Sequence, residues 1–549
     1  MTTKNYFRNS FGENVFRYKY AQGPSDTWPK LCERLVDDVC GSRGGTLQPL
    51  MSLEERKQLL QYMIDMKVIA GGRYLYYAGR PFKAYNNCFL LRAEEDTREE
   101  WSNVTWRAMS CLMTGGGIGI DYSRLRPAGK ALSRTGGTAS GPIPLMQAIN
   151  EIGRQVMQGG SRRSAIYASL NWQHEDIDTF LNSKNWSEDI RAAKLKDFNA
   201  WAPLDMTNIS VNYDDAALVG GLENNPVFLK NCLQALSTAE PGFSFNFGDK
   251  QNETLRNACT EVTSEDDSDV CNLGSVNLGN IASLEEFRDV VSLASKFLVC
   301  GTLRADLPYE KVYRVREKNR RLGLGLMGIH EWLLKRGYKY EVTPELHKWL
   351  EIYRDESKRS ADEHCDRFYI SRPVAYRAIA PTGSIGILAG TTTGIEPLFA
   401  VAYKRRFLTE GTKWKYQYVV DGTAKTLIDQ YGVKPESIES ALDLATNYEQ
   451  RIKFQADVQD YVDMSISSTI NLPAWGSKGN SEMDVKRFAE TLAKYAPRLR
   501  GFTCYPDGSR GGQPLTAVPY EEAIKHKDAV YDEVVDICDI SGKGGSCGV

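Results

Sequence analysis

Along most of this chain, short apolar runs and helix-periodic segments take turns, and that alternation constrains the fold more than any other feature of the sequence. "SDTWPKLCERLVDDVCG" and "SLEERKQLLQYMIDMKVIA" carry apolar residues at three- and four-residue spacings and read as helices. "YNNCFLL" then reads as a short buried strand, "TREEWSNVTWRAMSCLM" as a helix, and "TGGGIGIDYSRLRPAG" as a glycine-rich turn with a strand attached. The same alternation runs on through "SVNLGNI", "RRLGLGLMGIHEWLLKRG" and "YRAIAPTGSIGILAGTTTGIEPLF". Strands that alternate with helices over several hundred residues predict an α/β domain with a largely parallel sheet, open or closed. No fixed-period repeat of the solenoid kind is present.

Charge and hydropathy narrow the function. The 68 Lys plus Arg nearly cancel the 70 Asp plus Glu, so no global basic field argues for a nucleic-acid polymer as partner. The longest apolar runs, such as "DVVSLASKFLVCGTL", are too short or too interrupted to span a bilayer, and "MTTKNYFRNSFG" lacks the apolar core of a secretion signal. A cytoplasmic enzyme is the expected class. Twelve cysteines scattered over 549 residues do not form a disulfide scaffold, so reduced thiols are expected. Without a CxxC pair, an HExxH or a tight Cys/His cluster, no metal site is expected.

One stretch concentrates chemistry. In "RNACTEVTSEDDSDVCNLGSVNLGNI", residues 256–281, Asn257, Cys259 and Glu261 are spaced two apart, and Cys271 follows. In an extended chain those three side chains share a face, which would offer an amide, a sulfur and a base to one small substrate. The competing reading is that Cys259 is a small buried hydrophobe in a polar loop. The tail "DICDISGKGGSCGV" places Cys538 and Cys547 in a Gly/Ser/Lys segment whose composition favours flexibility. Two thiols on a mobile tether could carry electrons between a buried site and an external reductant, or they are incidental.

Two kinds of loop look suited to phosphate. "APTGSIGILAGTTTG", residues 380–394, supplies small residues and hydroxyls where backbone N–H groups can converge on an anion, but no GK[ST] follows, and neither it nor "GGGIG" completes a dinucleotide fingerprint. "SRTGGTASG" (133–141) and "QGGSRRSA" (158–165) join glycines to arginines, either as nucleotide-reading loops or as surface turns.

Taken together and in order, "NNC", "GGGIGIDYSRLRP", "GGSRRSA", "NACTE", "CNLGSVNL", "RRLGLGLMG" and "PTGSIGILAGTTTGIEP" resemble the large catalytic chain of the ribonucleotide reductases, from roughly residue 12 to 515. The resemblance implies a ten-stranded α/β barrel, made of two antiparallel halves of five parallel strands, with a finger loop inside that carries Cys259. It implies an N-terminal helical region over 1–70, a catalytic barrel over 71–520 and a flexible tail with redox cysteines over 521–549. Only 87 residues precede Cys88, so the family's N-terminal ATP-binding cone, and overall control by dATP through it, are not expected.

The implied reaction converts ribonucleoside di- or triphosphates to deoxyribonucleotides for DNA precursor synthesis. Cys259 would become a thiyl radical that removes the 3′ hydrogen, Glu261 would take the 3′ hydroxyl proton, and Asn257 would hydrogen-bond the substrate. Cys88 and Cys271 would then reduce the substrate radical and end as a disulfide. Cys538 and Cys547 would re-reduce that pair and be renewed by a thioredoxin-like protein, although their spacing is wider than is usual in the family. Substrate phosphates would sit on the backbone of Thr382, Gly383, Ser384 and Ile385, with Asn87 where other members place a serine near the ribose. Asp96 and Arg134 would hold a deoxynucleotide or ATP effector, residues 158–164 would relay its identity, and the chain would be a homodimer.

The radical source has two readings. "GFTCYPDGSRGG" has Cys504 before Tyr505 where partner-dependent members carry adjacent tyrosines, and "YPDGSR" resembles the adenosylcobalamin-dependent class II, as does the short interval from Cys259 to Cys271. The alternative is a small class I catalytic chain that needs a metal-bearing radical-generating subunit. "RLRGFTCY" faintly resembles a glycyl-radical site at Gly501, but that anaerobic class lacks the glutamate of NxCxE. A non-catalytic regulatory homologue should have lost Cys88, Cys259, Glu261 or Cys271. A thiol-disulfide oxidoreductase of another kind would account for the cysteines and leave the phosphate loop without a use.

Overall fold

Strands buried on both faces need near-continuous apolar sequence, and the runs that have it build one large sheet curled on itself. The computed structural model describes residues 6–156, 164–196, 200–409, 413–509, 515–526 and 529–532. The first strands are β1 (Val68–Ala70), β2 (Cys88–Arg92), β3 (Gly117–Asp121), β4 (Ile166–Asn171), β5 (Thr207–Tyr213) and β6 (Gly242–Phe245). A small hairpin, β7 (Leu255–Arg256) and β8 (Thr263–Ser264), precedes β9 (Asp269–Asn277) and β10 (Leu322–Met327). Then come β11 (Ala402–Thr409), β12 (Lys413–Val420), β13 (Thr469–Leu472), β14 (Gly501–Pro506), β15 (Leu515–Ala517) and β16 (Val530–Asp532).

Strands β2 to β6 lie parallel in sequence order. In the second half β9 runs parallel to β10, and β13 to β14. The halves meet antiparallel at both seams, β2 against β9 and β6 against β14. Between β10 and β13 the ring is carried by two extended segments: Leu324 bridges Arg377 and Ile379 bridges Ile466, both in parallel sense. With residues 375–379 and the run from 464 into β13 included, each half has five parallel strands, the barrel that the sequence motifs imply. Strand β1 adds an antiparallel partner to the far end of β9.

Local signals set most element ends. Helix Trp28–Cys40 begins at Thr27 with Pro29 in its first turn, and helix Leu53–Ile64 begins at a Ser52/Glu55 capping box. The expected helix over 52–70 stops at Ile64: Met66 enters the left-handed region at φ 54°, and the remaining "VIA" becomes β1. Helices Leu284–Arg304 and Pro344–Arg367 pack on the outside of the second half, with the rings of Phe287 and Trp349 in contact between them at 4.9 Å.

The lumen holds a separate, smaller apolar cluster that includes Cys88, Leu90, Leu255, Val262, Cys271 and Met464. Outside the barrel, β15, β11, β12 and β16 form an antiparallel sheet. The segment expected to be a flexible tail from residue 521 therefore contributes the helix Tyr520–Lys525 and β16. Cys538 and Cys547 lie outside the described residues, as do residues 158–163 of the expected relay loop. Among the described residues no helix is long and apolar enough to cross a membrane, and no group of three or more His, Cys, Asp or Glu is placed to hold a metal ion.

Candidate active site

The β7–β8 hairpin enters the lumen because β3 leaves it room. Gly117 and Gly119 share one face of β3, and a Cβ on Gly119 would stand 1.7 Å from the Arg256 carbonyl oxygen. On Gly117 it would stand 3.2 Å from the Ala258 Cβ. Gly117 and Gly119 of "GGGIGI" thus serve the close approach of strand and hairpin. The base of the hairpin is stapled by Arg256, whose buried guanidinium donates to Asn246 Oδ1 at 2.8 Å and to the Arg500 carbonyl at 3.1 Å. Burial, with Arg500 nearby, pulls Arg256 down to about 9.

The extended arrangement expected for Asn257, Cys259 and Glu261 does not form. A shared face needs ladder partners, and pairing ends at Arg256–Thr263. Residues 257–260 turn instead, with Thr260 N donating to Asn257 O at 3.0 Å and Thr260 held at φ 70°. The turn still sorts the three side chains. Asn257 and Glu261 are buried and both meet Cys88, while Cys259 at the tip is the one exposed cysteine among those described. Asn257 is fixed at both ends: its Oδ1 accepts from Val262 N at 3.0 Å and its Nδ2 donates to Cys88 Sγ at 3.0 Å.

Cys88 and Cys271 sit directly opposite each other across the antiparallel seam of β2 and β9. Such residues have Cα atoms about 4.5–5.5 Å apart, within the span that a disulfide bridges. Both are free thiols. Gly323 of β10 gives Cys271 its space, since a Cβ there would stand 3.0 Å from Cys271 Sγ. Burial pushes both thiols up, Glu261 adding to the effect at Cys88 and Asp269 at Cys271, so both stay protonated at neutral pH.

Glu261 accepts from Cys88 Sγ at 3.7 Å through Oε1, while its buried Oε2 has no protein partner. Burial raises this carboxyl to about 7, against the pull of the Asn257 amide. A buried carboxylate oxygen left open is a place for a ligand hydroxyl, and the Asn87 Oδ1 beside it is open in the same way.

A cavity of about 150 Å³ joins these groups, lined by Asn87, Cys88, Asn257, Cys259 and Glu261 on one side and Thr382, Gly383, Ser384 and Ile385 on the other. Cys271 lies behind Cys88, fully buried. Thr382, at φ 48°, starts the helix Gly383–Ala389 without a side-chain cap, so the N–H groups of Gly383, Ser384 and Ile385 have no intrahelical acceptor. A Cβ on Gly383 would meet nothing within 4 Å. Tyr20 also lines the cavity; sequence reading missed it because nothing local marks a tyrosine after a surface helix as belonging to a site in the barrel. Asp96 and Arg134 lie elsewhere: Asp96 accepts from Arg126 Nε at 2.5 Å, and Arg134 is exposed.

Comparison with known proteins agrees with this architecture. The family described as ribonucleotide reductase, barrel domain, matches residues 86–214, 244–348 and 372–500, well over half of the chain. A vitamin B12-dependent ribonucleoside-diphosphate reductase of Mycobacterium tuberculosis is 25% identical over 92% of this chain and 80% of its own length. A putative adenosylcobalamin-dependent ribonucleoside-triphosphate reductase of Mycobacterium phage D29 is 25% identical over 98% of both chains. A crystal structure of a B12-dependent (class II) ribonucleotide reductase superposes with a TM-score of 0.71, at 16% identity, over 96% of this chain and 95% of that one.

Proposed function

The chain belongs to the ribonucleotide reductase family by its barrel domain, and from that premise we propose that it reduces ribonucleoside di- or triphosphates by thiyl-radical chemistry with adenosylcobalamin as its cofactor. The observation that carries the reading is the convergence of an exposed thiol, an open buried carboxylate and a cross-strand dithiol on one cavity floored by uncapped backbone N–H groups.

The roles are those that the family resemblance implies, and the geometry supports them. Cys259, at the tip, faces the cavity and is the radical thiol: it takes the 3′ hydrogen and returns it at the end. Glu261, with Oε2 open, accepts the 3′ hydroxyl proton, and the 2′ hydroxyl leaves as water. Cys88 and Cys271, held as neutral thiols by burial, supply the two hydrogens that balance the reduction and end as a disulfide. Asn257 aligns Cys88 with Glu261 and is near enough to the cavity to hydrogen-bond the sugar. Asn87 Oδ1 accepts from a ribose hydroxyl, and residues 382–385 hold the phosphates.

The residues present fit the cofactor. A second cavity of about 380 Å³ shares Gly383 and Pro381 with the first, and its lining sets the rings of Phe11, Phe399 and Tyr403 beside the polar groups of Thr391, Thr469 and Asn471. That donor set suits a nucleoside, and these residues would hold the adenosyl end of the cofactor. Adenosylcobalamin supplies homolytic cleavage of its carbon–cobalt bond. A deoxynucleotide or ATP effector at Asp96 and Arg134, a homodimer, a cytoplasmic setting and renewal of Cys88 and Cys271 through Cys538, Cys547 and a thioredoxin-like protein belong to the same proposal.

The purified chain, assayed with a ribonucleotide and a dithiol, is expected to turn over only when adenosylcobalamin is added. Tyr505→Phe should then change the rate by less than about fivefold, the cost of one hydrogen bond. Activity that appears only with a metal-bearing second subunit and vanishes in Tyr505→Phe would overturn the cofactor assignment, because phenylalanine has no phenolic proton to relay.

Glu261 also predicts the pH profile. Its carboxyl is raised to about 7, so below that pH it is protonated and cannot take a proton, and above it the base is available. kcat/KM should climb with pH and level off above about 7, and Glu261→Gln should lose this limb along with most of the rate. An unchanged limb in Glu261→Gln would assign the titration to another group.

A further inference from the structure

The cavity just described has to accept a polyanion, and none of the residues that line it is a lysine or arginine. Each phosphate monoester brings about −1.5 to −2 charge at neutral pH. A seven-residue helix contributes only a fraction of a charge at its first turn. The missing positive charge stands at the rim. Lys19, the last residue of helix Ser10–Lys19, donates from Nζ to Ser384 Oγ at 3.0 Å. Ser384 belongs to the same turn that leaves N–H groups open, and the neighbouring Tyr20 lines the cavity.

The helix that carries Lys19 is locked onto this loop at its other end as well. Arg8, just before the helix, donates to the Gly390 carbonyl at 3.0 Å and to Glu331 at 2.9 Å. A Cβ on Gly12 would stand 2.8 Å from the Leu388 carbonyl oxygen, so helix and loop are in close contact between those ends. The ammonium is exposed yet placed by packing, which lowers the entropy it loses when an anion arrives. The open oxygens of Glu261 and Asn87 in the same cavity mark where the sugar end of a ligand lies, and Lys19 stands at the phosphate end.

We propose that Lys19 is a substrate-binding residue that neutralises the distal phosphate of the ribonucleotide at the mouth of the cavity. This rests on the reductase reading and deepens it. The charge acts on binding in ground and transition states alike, so its loss moves KM and leaves kcat in place.

The test uses the full chain with adenosylcobalamin, CDP as probe, and two measurements, turnover and equilibrium binding. Lys19→Gln is the deciding variant, because glutamine still donates to Ser384 but carries no charge. It should weaken CDP binding and raise KM about tenfold, keep kcat within about twofold of wild type, and show a flatter dependence of binding on salt. Lys19→Ala should match it, and Lys19→Arg should restore most of the binding. CDP binding in Lys19→Gln equal to wild type, or a loss of kcat and melting temperature shared by Gln, Ala and Arg alike, would make Lys19 only a docking contact between helix and loop and overturn the proposal. If wild type binds CDP but reduces neither CDP nor CTP, the reductase reading fails while the binding comparison still decides the role of Lys19.

Discussion

Cys259→Ser is expected to abolish nucleotide reduction, lowering turnover at least about 10⁴-fold, which corresponds to a barrier raised by more than about 5 kcal/mol. The substitution exchanges sulfur for oxygen at the exposed tip of the finger loop, where no packing is lost. The turn is held by the Thr260 N to Asn257 O hydrogen bond and by Val262 N on Asn257 Oδ1, neither of which involves the Cys259 side chain. The fold, the nucleotide affinity and the Cys88–Cys271 pair should therefore be unchanged, while the group that forms the radical is gone. A serine hydroxyl is far harder to oxidise by one electron than a thiol, so the step that starts the reaction has no substitute. Reduction that persists in the serine variant with a dithiol would show that another residue carries the radical. The contrast with the rest of the chain is physical as well: among the described cysteines Cys259 is exposed and the others are buried.

How far the sequence discloses all this depends on how local each signal is. Helix starts at Thr27, Ser52 and Thr97 were legible because a capping side chain and the backbone N–H that donates to it lie within three residues. The strands "CFLLR" and "GIGID" were legible as apolar or glycine-rich runs between turns. The closeness of Asn257, Cys259 and Glu261 was legible too, but for the wrong geometric reason. A two-residue spacing suggests an extended face, whereas a tight turn with Thr260 in the left-handed region is what directs Asn257 and Glu261 to Cys88. The Cys88–Cys271 juxtaposition is a register between strands far apart in sequence, and only the family resemblance pointed to it. Lys19 was invisible for a different reason: a lysine ending a surface helix looks the same whether it faces water or the loop at Ser384.

Gly119→Ala should also damage turnover strongly, although residue 119 does not line the cavity. A Cβ at this position would lie 1.7 Å from the Arg256 carbonyl oxygen and 2.8 Å from the Arg256 carbonyl carbon, so the obstacle is backbone, which no rotamer change can clear. Either β3 leaves its parallel register with β4 or the hairpin is pushed up the lumen, and the hairpin has the weaker hold: two paired rows and the Arg256 staple, against a strand bonded on both edges. Moving the hairpin carries Cys259 away from the sugar and Glu261 away from Cys88. A displacement of about 1 Å at reacting groups costs on the order of 100-fold in rate, and overpacking costs about 1–3 kcal/mol of stability. The expected result is a folded protein with a lower melting temperature and turnover reduced at least about 100-fold. Gly117→Ala makes the comparison sharp, because its new Cβ would meet the Ala258 Cβ at 3.2 Å, a side chain that can be removed. Gly117→Ala should be relieved by Ala258→Gly, whereas no side-chain deletion on the hairpin should relieve Gly119→Ala. Wild-type turnover in Gly119→Ala would mean that the finger loop does not seat against β3, and the positions assigned to Asn257, Cys259 and Glu261 would fall with it.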